Sequence, residues 1–151
     1  GLPDIQAVIE QMGPLEGAHE FLNWLRERYQ VIILSDTFYE FAAPLMRQLG
    51  HPTLLCHHLE VTEYGFVSDY KLRQKDQKRQ AVKALHKLKF KVIAAGDSYN
   101  DTAMLAEADA GILFCPPQNV IDEFPQFPVT RNYDELKVAF AAASASIQQK
   151  D

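Results

Sequence analysis

Cysteine is scarce in this sequence, and so are the features that mark secreted or membrane-spanning chains. Only Cys56 and Cys115 occur among 151 residues. Two thiols in a chain of ordinary domain size read as free buried groups, not as a disulfide framework. No apolar run approaches the about 18 residues of a membrane-spanning helix. The opening Gly1-Leu2-Pro3-Asp4 lacks the basic start and apolar stretch of a secretory leader, so a cytoplasmic setting without membrane contact is expected. Internal repeats and low-complexity segments are also missing, which leaves no sign of a repeat architecture.

What is present is an ordinary globular composition. With 47% hydrophobic and 23% charged residues, 151 residues suffice for one domain with a real core and are too few for two of usual size. The net charge of −5 conceals an asymmetry. Nine of the fifteen basic residues lie between Lys71 and Lys91, against one acid, Asp76. Such a stripe would suit nucleic acid, but interleaved aromatics and a nucleic-acid motif are lacking, so it reads as a solvated helix face with one lysine serving a site.

Periodicity gives the organisation. Leu15, Ala18, Phe21, Leu22 and Leu25 recur at helical spacing after Pro14, with Glu16 early and Arg26 and Arg28 late, as the helix dipole favours. Val31-Ile32-Ile33-Leu34 is a short apolar, β-branched run of the kind buried on both faces of a parallel sheet. A second helix carries Leu45, Met46 and Leu49 and stops at Gly50, with Pro44 expected in its first turn. Thr53 to Val61 reads as a strand, Tyr64-Gly65 as a turn into Phe66-Val67, and Ala81, Val82, Leu85 and Leu88 mark a helix. Val92 to Ala95 is a strand, Thr102 to Ala108 a short helix, Gly111 to Phe114 a strand, and Tyr133 to about Ile147 a closing helix. Pro116-Pro117, Pro125 and Pro128 mark a rigid connection before it. Helices alternating with apolar strands predict an α/β, Rossmann-like fold with a mainly parallel sheet flanked by helices.

Ligands in such sheets bind beyond the carboxyl ends of the strands. Ser35-Asp36-Thr37 follows Leu34, where hydroxyls and backbone N–H groups could hold an anion or merely cap a helix. Gly96-Asp97-Ser98-Tyr99-Asn100-Asp101 follows Ala95. Gly96 permits close approach, Asp97 is a hard donor suited to Mg²⁺, and Asp101 lies one helical turn further on. Two carboxylates and Asn100 within six residues exceed what capping a turn needs. Lys78, near the start of a helix, could offer a cation to phosphate. Cys56-His57-His58 suggests metal, but on a strand only Cys56 and His58 share a face, and a buried thiol is the simpler reading. His19 and His86 read as surface helix residues.

In chain order, Ser at one strand end, Lys at a helix start and GDxxND at the next strand end resemble the haloacid dehalogenase superfamily of phosphohydrolases. The runs "ILSDTFYEFAAPLMRQLG" and "GDSYND" are most similar to the phosphoserine phosphatases, and among them to the bifunctional phosphoserine phosphatase/homoserine phosphotransferase branch. The resemblance extends over essentially the whole chain. It implies that Ser35 hydrogen-bonds the transferring phosphoryl group and that Lys78 neutralises its charge, with Lys75 the alternative because the spacing is compressed. It further implies that Asp97 ligates Mg²⁺, that Asp101 braces that ligand or the lysine, and that Asn100 borders the phosphate. Phosphoryl transfer asks chiefly for such positioning and charge neutralisation. Asp36-Thr37 stands where phosphoserine phosphatases often carry Gly-Gly. A carboxylate there would repel phosphate unless it pointed away, for example toward a substrate ammonium.

Members of this superfamily begin with a strand ending in Asp-x-Asp, the first aspartate attacking phosphorus and the second acting as general acid. No Asp-x-Asp occurs in these 151 residues. The resemblance therefore implies an incomplete core, with residues 1–13 a remnant of a helical cap and 14–151 a partial haloacid dehalogenase-like domain. It also implies that the absent strand is central, lying between those ending at Leu34 and Ala95, so that the chain is expected to pair with another copy or with the missing N-terminal segment in trans. Two classes of function follow: part of a Mg²⁺-dependent phosphoserine phosphatase or phosphotransferase, or a non-catalytic module of that fold that binds phosphate or a partner.

Overall fold

The computed structural model describes residues 1–149 and divides into two compact units, Gly1–Lys75 and the part from Asp76 onward. In the first unit, α1 (Leu2–Met12) carries Pro3 and Asp4 in its first turn and ends at Gly13, whose positive φ of 65° is one that glycine adopts without a Cβ penalty. Next, α2 (Ala18–Arg26) buries Phe21, Leu22 and Leu25. It starts later than the apolar spacing predicts, because Gly17, at φ 83°, breaks the helix at its N-cap and leaves Leu15 outside and exposed.

Strand β1 (Ile32–Phe38) overruns the apolar segment that predicts it. The strand does not stop at Leu34 but carries Ser35, Asp36 and Thr37 before α3 (Tyr39–Gln48) begins. It pairs in parallel with β2 (Thr53–Val61), Leu34 opposite Leu55 and Phe38 opposite His57. Four steps on β1 thus match two on β2, so Ser35 to Thr37 bow out of the ladder as a bulge. Burial on both faces is not found: Ile32 is 38% exposed, consistent with β1 standing at the edge of its three-stranded sheet.

Pro44 lies inside α3, not in its first turn as predicted. A proline there leaves the carbonyl of residue 40 without its helical N–H. Gln6 Nε2 donates to the Glu40 carbonyl at 2.8 Å and replaces the lost bond. Gln48 Nε2 likewise reaches the Glu10 carbonyl at 2.8 Å, so the two amides stitch α1 to α3. The sheet order is β1-β2-β3, with β3 (Val67–Lys71) antiparallel to β2.

The second unit is built on an all-parallel sheet ordered β4-β5-β6, comprising β4 (Ile93–Gly96), β5 (Ala110–Phe114) and β6 (Val129–Thr130). Central β5 carries two of the driest residues, Ile112 and Leu113 at 1% and 0% exposure, as expected of a strand paired on both edges. Around it lie α4 (Gln77–Lys87), α5 (Thr102–Glu107), α6 (Gln118–Glu123) and α7 (Tyr133–Gln149). The predicted rigid connection in fact holds α6 and β6; Pro117 caps α6, and Phe127 and Thr130 are buried behind it. His86, predicted as a plain surface residue, joins Val92 N–H on Asp109 Oδ2, at 2.8 and 2.7 Å. Among the described residues no helix is long and apolar enough to cross a membrane.

Candidate active site

Ser35, Asp36 and Thr37 fall in the first unit, and Lys78, Asp97, Asn100 and Asp101 in the second. In the first, the bulge of β1 makes a local turn in which Thr37 N–H donates to Ser35 Oγ at 3.2 Å. The Ser35 hydroxyl is therefore not a helix cap; Phe38 occupies the N-cap position of α3. Asp36 points to a partner that the strand-alternation argument passed over. His57 is buried at 5% exposure, and its Nδ1 accepts the Arg73 backbone N–H at 2.9 Å. That contact puts the ring proton on Nε2, which donates to Asp36 Oδ1 at 3.3 Å. The carboxylate next to Ser35 is thus held by a neutral imidazole from β2.

Cys56 and His58 do share a face of β2, as alternation requires, but they hold no metal in common with a third donor: no cluster of three His, Cys, Asp or Glu occurs among the described residues. Cys56 is fully buried, and desolvation pushes its thiol up to about 11 despite the nearby Arg73 charge. The Arg73 guanidinium ties β2 to the start of α3. Its Nε donates to the Cys56 carbonyl at 3.1 Å and its Nη2 to Tyr39 Oη at 2.6 Å.

In the second unit the GDSYND segment folds around one carboxylate. After β4 the chain turns through a single 3₁₀ turn, Tyr99–Asp101, into α5, and this brings Asp101 back beneath the strand end. Asp101 Oδ2 accepts the backbone N–H groups of Asp97 and Ser98 at 2.9 and 3.2 Å, and Oδ1 receives Lys78 Nζ at 2.7 Å. Burial alone would raise the pKa of this 5% exposed carboxyl. The Lys78 hydrogen bond and charge, with the two backbone donors, outweigh it and hold the group below its ordinary value. Gly96 is required by the same packing, since a Cβ there would stand 2.5 Å from Asp101 Cβ and 2.6 Å from its Oδ2.

One buried aspartate therefore sets two groups at once. It anchors the Lys78 ammonium and fixes the backbone that carries Asp97, whose own side chain is exposed, as is Asn100. An exposed carboxylate on a pinned backbone suits a hard divalent cation, which is commonly bound through one or two carboxylates and completed by water or phosphate. Lys75, the alternative cation, is exposed.

The chain belongs to the haloacid dehalogenase-like hydrolase family, whose sequence model matches residues 3–109. Within it, the relatives are phosphoserine phosphatases. The chain is 66% identical over 143 residues to a phosphoserine phosphatase of Pseudomonas syringae pv. tomato, covering 95% of this chain and 60% of that protein. It is 65% identical over 144 residues to phosphoserine phosphatase ThrH of Pseudomonas aeruginosa, covering 95% and 70%. A probable phosphoserine phosphatase from Vibrio cholerae shares the fold with a TM-score of 0.72 at 21% identity, over 94% of this chain and 46% of that one. The chain thus spans 60 to 70% of the length of these two curated relatives.

Proposed function

We propose that this chain supplies the phosphate- and metal-binding side of a Mg²⁺-dependent phosphoserine phosphatase that works through an aspartyl-phosphate, the attacking aspartate coming from sequence outside these 151 residues. The observation that carries the reading is the Asp101 clamp, which holds Lys78 and the Asp97 backbone together. A binding module for phosphate alone has no need of a carboxylate locked so close to its cation.

The roles follow from the chemistry of each group. The oxygen of Ser35 accepts from Thr37, which orients its O–H as a donor toward a phosphoryl oxygen. Ser35 is not assigned as the nucleophile, because a hydroxyl at its free pKa attacks poorly. Lys78, ammonium fixed by Asp101, meets the negative charge of the phosphoryl group, and Asn100 borders it. Asp97 would hold Mg²⁺, which when bound supplies neutralising charge to phosphoryl oxygens. With His57 holding its carboxylate, Asp36 is kept off the phosphate and faces the substrate ammonium, and Thr37 contributes its backbone. The setting is the cytoplasm, where serine phosphate is a soluble metabolite, and homoserine is a candidate second acceptor for the phosphoryl group.

The test is a chimera in which the part of the ThrH sequence outside the match precedes Gly1, assayed for phosphate release from phosphoserine with and without Mg²⁺. Activity should depend on Mg²⁺. Lys78→Ala should lower turnover by about 10²- to 10³-fold, the scale of removing one transition-state charge stabiliser, and Lys75→Ala should change it little. A folded chimera that hydrolyses no phosphomonoester overturns the enzyme reading, and an inactive Lys75→Ala beside an active Lys78→Ala overturns the lysine assignment.

A further inference from the structure

Of the five histidines only His57 is buried, at 5% exposure. It stands opposite Phe38 on the β1–β2 ladder, the two rings 6.1 Å apart, so its hydrogen bonds form away from water, where they are stronger. Both ring nitrogens are committed. Nδ1 accepts the Arg73 N–H at 2.9 Å, and Nε2 donates to Asp36 Oδ1 at 3.3 Å. The first contact fixes the charge of the ring as well as its tautomer, because a proton on Nδ1 would point at the Arg73 N–H, donor against donor. Arg73 meets His57 through its main chain and turns its guanidinium elsewhere, Nε to the Cys56 carbonyl and Nη2 to Tyr39 Oη. A permanent cation lies on the same residue, yet the group set against the ring is a neutral amide.

We propose that His57 is a positioning residue for substrate choice: its neutral N–H holds Asp36 as the seat that tells a phosphorylated amino alcohol from its hydroxyl analogue. A lysine or arginine in its place would orient the carboxylate and cancel its charge as well. An imidazole locked in the neutral form orients it and leaves the charge standing. The Asp36 side chain is 55% exposed, so a ligand can meet it from solvent, whereas His57 stays behind it and touches no substrate. The bulge serves the same end. It bends Ser35 and Asp36 out of the ladder together, which sets the carboxylate beside the hydroxyl that faces the phosphoryl group. An ester with its ammonium on the second carbon from the ester oxygen presents opposite charges in that order. One with a hydroxyl there offers the carboxylate no charge, and a site built for a polar group of the substrate discriminates against the analogue that lacks it. This role rests on the phosphatase reading, whose substrate supplies the ammonium.

The chimera carrying the ThrH segment tests it, assayed with phosphoserine and with 3-phosphoglycerate, which differs only by a hydroxyl in place of the ammonium. The ratio of the two kcat/KM values should favour phosphoserine. General loss of structure lowers both together, so the ratio reports the seat itself. Asp36→Asn removes the charge at nearly constant shape and should shrink the ratio by about tenfold or more. His57→Leu removes the donor and should shrink it in the same direction, chiefly through KM for phosphoserine. His57→Gln, whose amide places an N–H donor near the position of Nε2, should recover much of it. In the 151-residue chain, nitrogen NMR of the His57 ring at neutral pH should show a protonated Nε2 and a bare Nδ1, a readout that needs neither activity nor a folded His57→Leu. A chimera that cleaves neither ester overturns the phosphatase reading and this role with it. One that cleaves phosphoserine with a ratio unmoved by Asp36→Asn or by a folded His57→Leu overturns the proposal and leaves the phosphatase standing. So does a folded His57→Gln that recovers nothing, and so does a wild-type ring protonated on both nitrogens.

Discussion

Asp101→Asn changes almost no volume and removes one charge, which makes it the sharpest probe of the second unit. The carboxylate has donors on both sides: Lys78 Nζ at 2.7 Å on Oδ1, and two backbone N–H groups within 3.2 Å on Oδ2. An amide has a single acceptor oxygen. If it faces the lysine, its NH₂ meets the two backbone donors; if it faces the backbone, its NH₂ meets an ammonium. Water offers little relief, because the two side chains are only 16% and 8% exposed. Removing one partner of a buried pair typically costs about 3–5 kcal/mol, a large fraction of the roughly 5–15 kcal/mol that keeps a domain folded. Urea unfolding followed by far-ultraviolet circular dichroism measures the loss, and amide exchange over residues 93–107 shows where it falls.

The pH dependence gives an independent check on the same variant. The folded pKa of Asp101 lies below its ordinary value of 3.8, so the wild-type carboxylate adds stability that is fully present well above that value. That contribution disappears as the pH falls through the folded pKa. Other carboxylates titrate alike in both proteins and cancel in the difference. The stability gap between wild type and Asp101→Asn should therefore be flat at neutral pH and close progressively below about pH 4. A variant within about 1 kcal/mol of wild type, the size of an ordinary substitution, or a gap that persists into strong acid, would refute the clamp.

Two further expectations concern packing and reactivity. Gly96→Ala should cost about 1–3 kcal/mol, the usual penalty for overpacking, because the new Cβ meets Asp101 at 2.5 Å while three donors hold that side chain in place; an unchanged urea midpoint would mean that Asp101 has another place to go. A thiol reagent at mildly alkaline pH should modify Cys115, which is exposed, and spare Cys56, which is fully buried with its thiol pushed up to about 11; mass mapping that finds Cys56 labelled in the folded chain would contradict this burial.

The sequence shows the α/β order because buried strands and amphipathic helices write different periods, and all the predicted strands and long helices are found. Its errors arise where one element depends on another far away in the chain. Pro44 reads as a first-turn residue if α3 is considered alone, yet the helix extends five residues further back, to Tyr39, because Gln6 supplies the donor that the proline lacks. β1 reads as ending at Leu34, where hydrophobicity ends. A strand is defined by its neighbour as well as by its own side chains, and β2 carries the pairing on to Phe38. α6 and β6 are short and surrounded by prolines, and neither is long enough to declare a period.

The site was legible to the extent that its parts lie close together in sequence. GDSYND places Asp97 and Asp101 four residues apart directly after a glycine, and the fold turns that spacing into a backbone held by its own last carboxylate. The choice between Lys78 and Lys75 could not be read from spacing, since either can begin the helix. What supports Lys78 is that its side chain is drawn inward to a buried carboxylate, at 2.7 Å from Asp101, whereas Lys75 is exposed before α4 begins. His57 was missed for a related reason. Alternation along β2 correctly separates it from Cys56 and His58, but says nothing of what waits on its own face, and only the bulge in β1 brings Asp36 there. A bulge leaves no mark in a pattern of period two except that polar residues continue where the apolar run stops. Ser35-Asp36-Thr37 carries that mark, so a polar run at the end of a strand can be a continuation of the strand bent by its site, not the start of a loop.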